Sequence, residues 1–596
     1  MELILMEENI KLAYRNMKKN DGSTTPGVDG KTIEHLAKMT EKEVIELVRN
    51  KLEWYTPKAI RRVEIDKGNG KKRPLGIASI EDRLIQQCIL QVLEPICEAK
   101  FHDRSNGFRP NRGVENALAQ AEKLIQSNKL YIVVDIDIKG FFDNVSHGKL
   151  LKQLWTIGIQ DKKLISIISA MLKGEIAEIG FPEKGTAQGS IISPLLSNVV
   201  LNELDWWIAS QWEFMPTRHV YKEAIKANGT QSKSKKYRAL RNSTLKECFI
   251  VRYADDFKIF CRKHKDAVVM FEATKQWLKT RLGLDISPEK SKIVNLKHSY
   301  SEFLGFRIKV HKKGKDTKCK PPVDKYVVKS HISEKALKKI KTNAKERIIA
   351  IQKTNGSRAG EYAIRDYNSF VMGIQNYYSM ATCVNPDIQT LAYEIKTSIK
   401  IRLNTRVKRR TNEALTPYLS ERYGKSKELR FINGVPLVPI GYVQHRVPLH
   451  KKAVVNKYTA EGRKEIHKQL ETVDIERVHE LMRNPISNET VEFNDNCVSL
   501  FVAQRGKCAI CKLPLTLENM RCVRKIPKSC GGDDKYNNLI IVHKEMERLI
   551  KSQDSKEIKR ILNKYKLESN QRRKVNTIRK NAGLEEIDVK ALDKEL

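Results

Sequence analysis

The sequence predicts an α+β fold, and three observations predict it. Residues 130–138 form a hydrophobic, strand-like run that ends in acids. Two further β-rich runs, Phe249-Ile250-Val251-Arg252-Tyr253 and Phe257-Lys258-Ile259-Phe260, flank Ala254-Asp255-Asp256. Long stretches of helical periodicity stand before and after them. The chain has 596 residues, enough for three to five domains, and its 40% hydrophobic and 31% charged residues are the balance of a folded chain.

The elements follow in order. Residues 1–50 read as helical, interrupted by the turn Thr25-Pro26-Gly27-Val28-Asp29-Gly30. Residues 60–80 read as a hairpin, with Arg61-Arg62-Val63-Glu64-Ile65, the turn Gly68-Asn69-Gly70, and a basic return into Pro74-Leu75-Gly76-Ile77. Residues 81–100 form an apolar-periodic helix, and helical periodicity runs from 147 to 173 and resumes after Ser193-Pro194. Residues 213–247 are basic and polar with little apolar periodicity, which predicts an exposed insertion. The spacing then puts Asp255 and Asp256 at a hairpin turn. Residues 327–425 read as long basic helices, and a Gly/Pro/Val-rich stretch at 433–450 reads as a boundary. Residues 451–490 are basic and helical, 497–565 form a small Cys-containing module, and a charged tail follows.

Charge narrows the function. Lys and Arg number 111 against 71 Asp and Glu, a net charge of +40. Such an excess repels itself unless a polyanion neutralises it, and nucleic acid is the usual one. A membrane partner is not expected, since there is no amphipathic anchor and no apolar run of transmembrane length. The N-terminus, Met1-Glu2-Leu3-Ile4-Leu5-Met6-Glu7-Glu8, resembles neither a secretory signal nor a transit peptide. With 11 cysteines, an odd number, this points to a reducing cytoplasm, with metal binding the one special use of the thiols.

Adjacent acids at a tight turn raise each other's pKa unless a cation offsets them. A third acid, Asp137, ends a separate hydrophobic strand. If the two strands are neighbours, three carboxylates converge and suit two Mg²⁺ ions, the arrangement that serves an in-line displacement at phosphorus.

The surrounding blocks resemble one family, the group II intron-encoded reverse transcriptase/maturases. Asp137-Ile138-Lys139-Gly140-Phe141-Phe142-Asp143-Asn144-Val145 resembles its first catalytic block and Val251-Arg252-Tyr253-Ala254-Asp255-Asp256-Phe257 its second. Gln188-Gly189-Ser190-Ile191-Ile192-Ser193-Pro194-Leu195-Leu196-Ser197-Asn198 resembles its template-binding block. Arg73-Pro74-Leu75-Gly76-Ile77, Asn106-Gly107-Phe108-Arg109-Pro110-Asn111-Arg112, Leu284-Asp285-Ile286-Ser287-Pro288-Glu289-Lys290-Ser291-Lys292 and Phe303-Leu304-Gly305-Phe306 match further blocks, all in family order. Gly373-Ile374-Gln375-Asn376-Tyr377-Tyr378 resembles the family's thumb, or X, domain, with Tyr377 or Tyr378 expected in its core.

The resemblance implies roles. Asp137, Asp255 and Asp256 would be catalytic and would bind the two Mg²⁺ ions, with the Ile138 carbonyl completing a shell. Phe142 would be the ring that excludes a 2′-hydroxyl, with Phe141 the alternative. Lys67 and Arg73 would pair with the triphosphate. Gln188 and Gly189 would let the backbone approach the nascent pair, and Lys290 would protonate the leaving pyrophosphate. The runs Lys400-Ile401-Arg402 and Arg406-Val407-Lys408-Arg409-Arg410 would track phosphates. Three positions depart from the family: Ala187 stands for Pro, Ser190 for Gly, and Ile65-Asp66-Lys67 for Ile-Pro-Lys.

Cys508-Ala509-Ile510-Cys511 has zinc-knuckle spacing. With Pro527-Lys528-Ser529-Cys530-Gly531-Gly532-Asp533, Asn538-Leu539 and His543 it resembles the family's HNH endonuclease, a ββα-metal module. The family's His-His pair is replaced by Val523-Arg524, and an expected Cys-His pair by Met546-Glu547. Arg524 cannot act as a base at neutral pH, so endonuclease activity is not expected. Cys508, Cys511, Cys522 and Cys530 would be the remaining candidates for a Zn²⁺ site, and Asn538 and His543 the remnants of the HNH motif.

The implied fold is a right-hand polymerase. An N-terminal extension (1–58) precedes fingers and a palm with a small antiparallel sheet (59–315), a helical X/thumb domain (327–425), a DNA-binding segment (430–490), the HNH-like module (495–565) and the tail (566–596). The implied function is RNA-directed DNA polymerase and intron maturase in retrohoming, in a bacterial cytoplasm. The partners would be group II intron RNA, a DNA target and primer, and deoxynucleoside triphosphates. The alternatives are an RNA-binding splicing factor with an idle polymerase and a domesticated reverse transcriptase of defence or repair.

Overall fold

The computed structural model describes residues 1–66, 72–221, 224–225, 231–316, 321–354, 357–409, 415–450, 455–467 and 475–587. They fall into two compact units. One gathers Met1–Lys100, Phe142–Leu196 and Val454–Leu596, and the other Phe101–Phe141 and Ser197–Ala453.

The second unit is built on a five-stranded sheet in the order Ser105–Asn106, Cys248–Tyr253, Asp256–Cys261, Ile132–Ile136, Lys292–Asn295. Its pairs are antiparallel except the first, which is parallel. Ile132–Ile136 is buried along its whole length, as a continuous hydrophobic run requires. The helices Val114–Gln126 and His264–Trp277 pack on the sheet. Val114–Gln126 turns Ala117, Ala121, Leu124 and Ile125 to the interior, a three-to-four-residue spacing that fills one helical face.

A long antiparallel hairpin, Phe306–Asp316 with Val323–Ile332, occupies the position where sequence reading begins the helical domain. Its alternation was hidden by lysines: Ile308 and Val310 are buried, while Arg307 and Lys309 point to the other face. The helices Glu334–Lys353, Ser357–Tyr378 and Val384–Leu403 follow, the first capped by the Ser333 side chain, which accepts from the Ala336 N–H.

The expected boundary at 433–450 is not one. Arg430–Ile432 and Val435–Leu437 form a sheet with Lys408–Arg409, and Asn368 clamps it to the bundle, donating to the Pro436 carbonyl at 2.7 Å and accepting from the Val438 N–H at 2.9 Å. The division between units falls after Ala453 instead. The expected exposed insertion at 213–247 holds a helix, Ser234–Arg241, and is tied down at both ends by buried acids. Glu213 takes Arg104, and Glu247 takes Arg241 at 2.9 Å and Arg262.

The first unit contains the expected hairpin, Arg61–Asp66 with Lys72–Ile77. The helix Ile80–Glu98 packs against Glu7–Lys18 and Glu41–Glu53. Arg83 anchors the N-terminal turn, donating to the carbonyls of Gly22 at 2.8 Å and Thr25 at 2.7 Å. In the C-terminal portion, Met520–Arg524 and Leu539–His543 pair antiparallel and lead into the helix Lys544–Lys551, a ββα arrangement. The charged tail is a correction: Ser569–Asn581 is a helix whose Val575 and Ile578 are buried in the module's core, because its apolar residues recur at helical spacing among the charges.

Candidate active site

The strand register brings the two acidic segments together. Tyr253 pairs with Asp256 across the tight turn, and Ile136 pairs with Phe257 on the neighbouring strand. Asp137, Asp255 and Asp256 therefore lie at one end of adjacent strands. Ala254 holds the turn with φ of 54°. That strained conformation is over-determined by its surroundings. The Arg252 guanidinium donates to the Ala254 carbonyl at 2.8 Å, to Asp205 at 2.7–3.0 Å, to Asn198 Oδ1 at 2.9 Å and to Ser105 Oγ at 2.6 Å. From below, the Ala254 N–H donates to the Asn106 carbonyl at 2.9 Å. Gly107 has φ of 77°, and a Cβ there would stand 2.9 Å from the Ala254 nitrogen, so glycine alone lets the segment lie under the turn.

Asp137 is braced by the segment after residue 284. Ile138 bridges Ile286, and the Ser287 N–H donates to the Asp137 carbonyl at 2.7 Å. Lys290 Nζ donates to Asp137 Oδ2 at 3.0 Å. Asp135, two residues earlier, serves the core instead, buried with Lys258 at 2.7 Å and Ser301 Oγ at 3.0 Å.

Among the described residues, no three His, Cys, Asp or Glu side chains are gathered closely enough to hold an ion. The donor chemistry of the turn nonetheless fits a divalent cation. Burial pushes the Asp256 carboxyl up to about 6; Lys258 opposes the shift, and Asp135, Asp255 and Asp137 add to it. A carboxylate destabilised by its like-charged neighbours is one that a cation stabilises.

The remaining nucleotide-site candidates stand in the first unit. Lys67 lies outside the described residues. Arg73 is exposed and pairs in register with Ile65 on the hairpin. The Gln188 carbonyl accepts from the Gly76 N–H at 2.6 Å, and Gly189, with φ of 104°, lies so close to the Gly76 carbonyl that a Cβ would stand 2.9 Å from it. Gly76 and Gln188 line a cavity of about 300 Å³ together with Gln86 and Asp143. Phe142 is half-buried, whereas Phe141 is 2% exposed. The segment 185–186 supports Phe142, whose carbonyl accepts from the Thr186 N–H at 2.7 Å. Tyr377 and Tyr378, in the second unit, are partly exposed rather than core: the Tyr377 hydroxyl donates to the Leu304 carbonyl at 2.9 Å, and its ring stacks on Phe306.

The four C-terminal cysteines named for zinc are not brought together. Cys508 Sγ accepts from the His543 N–H at 3.2 Å and from the Cys511 thiol, which lowers its pKa. The Cys522 thiol is instead a hydrogen-bond partner of the Cys497 thiol, both remaining free, and Cys530 is exposed beside Ser529. The cause is the strand pairing, which sets Cys522 opposite Ile541, while Cys508 meets the backbone of His543. Asn538 clamps its own loop, donating to the carbonyls of Ile526 at 3.0 Å and Asp533 at 2.7 Å, and His543 Nδ1 caps the next helix by accepting from the Glu545 N–H. Arg524 forms ion pairs with Asp534 at 2.7 Å and with Glu489, and lies 4.3 Å from the Phe493 ring centroid. Those acids hold it fully protonated.

The signal that sequence reading missed is Arg252, with Asp205 and Asn198. It lay inside a recognised block, but its partners are 47 and 54 residues away on a helix.

Comparison with known proteins gives a concordant picture. The family described as reverse transcriptase (RNA-dependent DNA polymerase) matches residues 65–308. The chain is 32% identical over 420 residues to the group II intron-encoded protein LtrA of Lactococcus lactis subsp. cremoris, covering 63% of this chain and 69% of that protein. It is 31% identical over 318 residues to protein YkfC of Escherichia coli (strain K12), covering 52% of this chain and 82% of that one. A putative COX1/OXI3 intron 1 protein of Saccharomyces cerevisiae is 28% identical over 421 residues, covering 63% of this chain and 49% of its own. Among the described residues no helix is long and apolar enough to cross a membrane.

Proposed function

The chain belongs to the family of group II intron-encoded reverse transcriptase/maturases, and from that premise we propose that DNA synthesis runs at the Ala254-Asp255-Asp256 turn with Asp137 beside it. It is an RNA-directed DNA polymerase and a splicing maturase. The observation that supports the site is the strand register, Tyr253 opposite Asp256 and Ile136 opposite Phe257, which sets the acids at 255–256 and at 137 at the same end of adjacent strands.

Asp137, Asp255, Asp256 and the Ile138 carbonyl would hold two Mg²⁺ ions, which when bound activate a primer 3′-hydroxyl and offset charge on the leaving pyrophosphate. Arg252 keeps the turn's backbone fixed, so the two acids need no reorganisation during the reaction. Lys290 Nζ donates to Asp137 and would turn from it to the pyrophosphate. Phe142 would close the sugar site to a 2′-hydroxyl, Arg73 and Lys67 would take the triphosphate, and Gln188 and Gly189 would set the template base pair. In this reading the five-stranded sheet is the palm, the Arg61–Ile77 hairpin belongs to the fingers, and the three long helices form the thumb.

The maturase role would use the basic surface, with intron RNA as partner and a DNA target and primer for retrohoming. The C-terminal module would bind DNA without cutting it, since Arg524 is engaged by two acids where the family has histidine. The test pairs two assays. Primer extension on an RNA template must be lost in Asp255→Ala while intron splicing persists; extension by that variant at the parental rate would sink the site. Strand-specific nicking of a plasmid bearing the target, in Mg²⁺ or Mn²⁺, would overturn the reading of the module.

A further inference from the structure

His147 opens the helix His147–Thr156 of the first unit and is 5% exposed. Its Nε2 lies 2.7 Å from the Gly185 carbonyl oxygen. A carbonyl only accepts, so Nε2 carries the proton and Nδ1 keeps a lone pair. That lone pair is buried and has no hydrogen-bond partner among the described residues. An unpaired buried acceptor costs free energy, and an apolar side chain of equal volume would fill the same space without that cost. The ring is therefore committed to one carbonyl, and its use is decided by what that carbonyl belongs to.

The peptide unit joining Gly185 to Thr186 is gripped from both sides. Its carbonyl accepts from His147, and its N–H, that of Thr186, donates to the Phe142 carbonyl at 2.7 Å. The Gly185 N–H donates to the Val145 carbonyl at 2.7 Å, Ser146 bridges Lys184, and Lys184 Nζ donates to Asn144 Oδ1 at 2.8 Å. Residues 142–147 and 184–186 are thus clasped along their length. Gly185, with φ of 99°, is the most permissive point of the clasp. Glycine sterics do not fix the plane of the peptide that follows, so its bonding partners must. Rotating that plane would carry the Thr186 N–H away from Phe142. The bond from His147 opposes the rotation, because the buried carbonyl would lose its donor.

Two neighbours of this peptide bear on the reaction. On one side stands Phe142, half-buried, the ring proposed to exclude a 2′-hydroxyl. On the other, Gly185, Thr186, Ala187 and Gln188 run along the wall of the cavity of about 300 Å³, where the Gln188 carbonyl takes the Gly76 N–H at 2.6 Å. A steric filter that tells one hydroxyl from a hydrogen must hold its ring to within about 0.5 Å, and such precision comes from the residues behind it. Direct contact with a nucleotide is closed to His147, since Nε2 is engaged and Nδ1 is buried. We propose that His147 is a positioning residue for sugar selection: through the Gly185 carbonyl it fixes the peptide that holds Phe142, and so favours deoxynucleotides over ribonucleotides without touching either. The inference rests on the reading of Phe142 as the sugar filter and names what keeps that ring in place.

The experiment uses the full chain on an RNA template with a DNA primer in Mg²⁺, and measures kcat and KM for insertion of one deoxynucleotide and of the matching ribonucleotide. His147→Phe and His147→Met keep the bulk and remove the donor. Each should lower the ratio of the two kcat/KM values about three- to tenfold, the worth of one hydrogen bond. His147→Gln, whose amide can place an N–H near the position of Nε2, should return the ratio to within about twofold of the parent. In a Phe142→Ala background, His147→Phe should leave the ratio where Phe142→Ala alone sets it, because the ring it positions is gone. A further fall in that background overturns the route through Phe142. An equal loss of kcat for both nucleotides, with the parental ratio, marks a merely structural role and overturns the proposal, as does loss of the melting transition in both donor-free variants. A parental ratio in Phe142→Ala itself overturns the reading of Phe142 as the filter, a result distinct from the others.

Discussion

Replacing Arg252 by Met tests whether the catalytic turn is held from beneath by one buried ion pair. Arg252 and Asp205 are both 0% exposed, and the guanidinium also bonds Asn198, Ser105 and the Ala254 carbonyl. Methionine has similar length and no charge, so Asp205 is left buried without its counterion. Breaking such a pair by removing one partner costs about 3–5 kcal/mol. Burial already pushes the Asp205 carboxyl up against the pull of Arg252, so it would take a proton in the variant, which sets the cost nearer ~3 kcal/mol. Hydrogen exchange of the strands Cys248–Tyr253 and Asp256–Cys261 under mild urea reads this loss locally. The double variant Arg252→Met/Asp205→Leu removes both charges and should regain most of that stability. It should not regain primer extension, because the Ala254 carbonyl still lacks its donor. A single variant within about 1 kcal/mol of the parent, or a double variant with full polymerase activity, would refute the reasoning.

The Asp256 carboxyl, raised from 3.8 to about 6, favours the protonated folded state. Its stabilisation is full below pH 3.8 and is lost as pH rises through about 6, by at most about 3 kcal/mol. In EDTA, Asp256→Asn should therefore melt above the parent at pH 7 and level with it near pH 4, and Mg²⁺ should close the gap at pH 7; a pH-independent difference contradicts this. Gly185 has φ of 99°, and a Cβ would stand 3.2 Å from the Phe142 carbonyl oxygen. Gly185→Ala should cost roughly 1–3 kcal/mol and raise incorporation of ribonucleotides relative to deoxynucleotides by shifting Phe142, which single-nucleotide insertion assays would read. Arg524→Ala leaves Asp534 and Glu489 with only the more exposed Lys528 between them and should lower module stability by about 2 kcal/mol, seen as faster proteolysis between 489 and 543, with no gain of nicking.

How legible these features were depends on the range of the interactions behind them. The strand ending at Asp137 and the pair of runs around Asp255 and Asp256 could be read because β-alternation and turn chemistry are local. That they adjoin is a matter of register, which the sequence pattern implies only once the strands are assumed neighbours. The hairpin Phe306–Asp316 with Val323–Ile332 was misread because lysine recurs along its strands, so charge masked a period of two. The sheet at 430–437 was misread for the opposite reason: Gly, Pro and Val suggest a linker, and only the bonds from Asn368 and Gln375 make it part of the bundle. The cysteine set failed on geometry. Spacing pairs Cys508 with Cys511, but where Cys522 points is decided by the face of the strand Met520–Arg524 it occupies, and Cys530 lies on a separate short helical turn, Lys528–Cys530.

A physical reason for the C-terminal module to remain, even where it cuts nothing, lies in the first unit. The helix Val491–Ala503 faces the N-terminal helix Glu7–Lys18 through charge: the Tyr14 hydroxyl donates to Glu492 at 2.6 Å, Arg15 to Asp495 at 3.2 Å, and Lys18 to Asp495 at 3.1 Å. Tyr14 is fully buried, and burial with Glu492 pushes its pKa far up, so it stays a donor. The same N-terminal helix packs on Ile80–Glu98, which carries Gln86, a wall of the cavity at Gly76 and Gln188. Removing the module would strip partners from a buried hydroxyl and two cations on a helix that supports the proposed nucleotide site. At the position where the family resemblance expects histidine, Arg524 is itself held by Glu489 and Asp534. Catalytic side chains can be replaced one at a time if a new ion pair forms, whereas an interface with a buried tyrosine at its centre is lost as a whole.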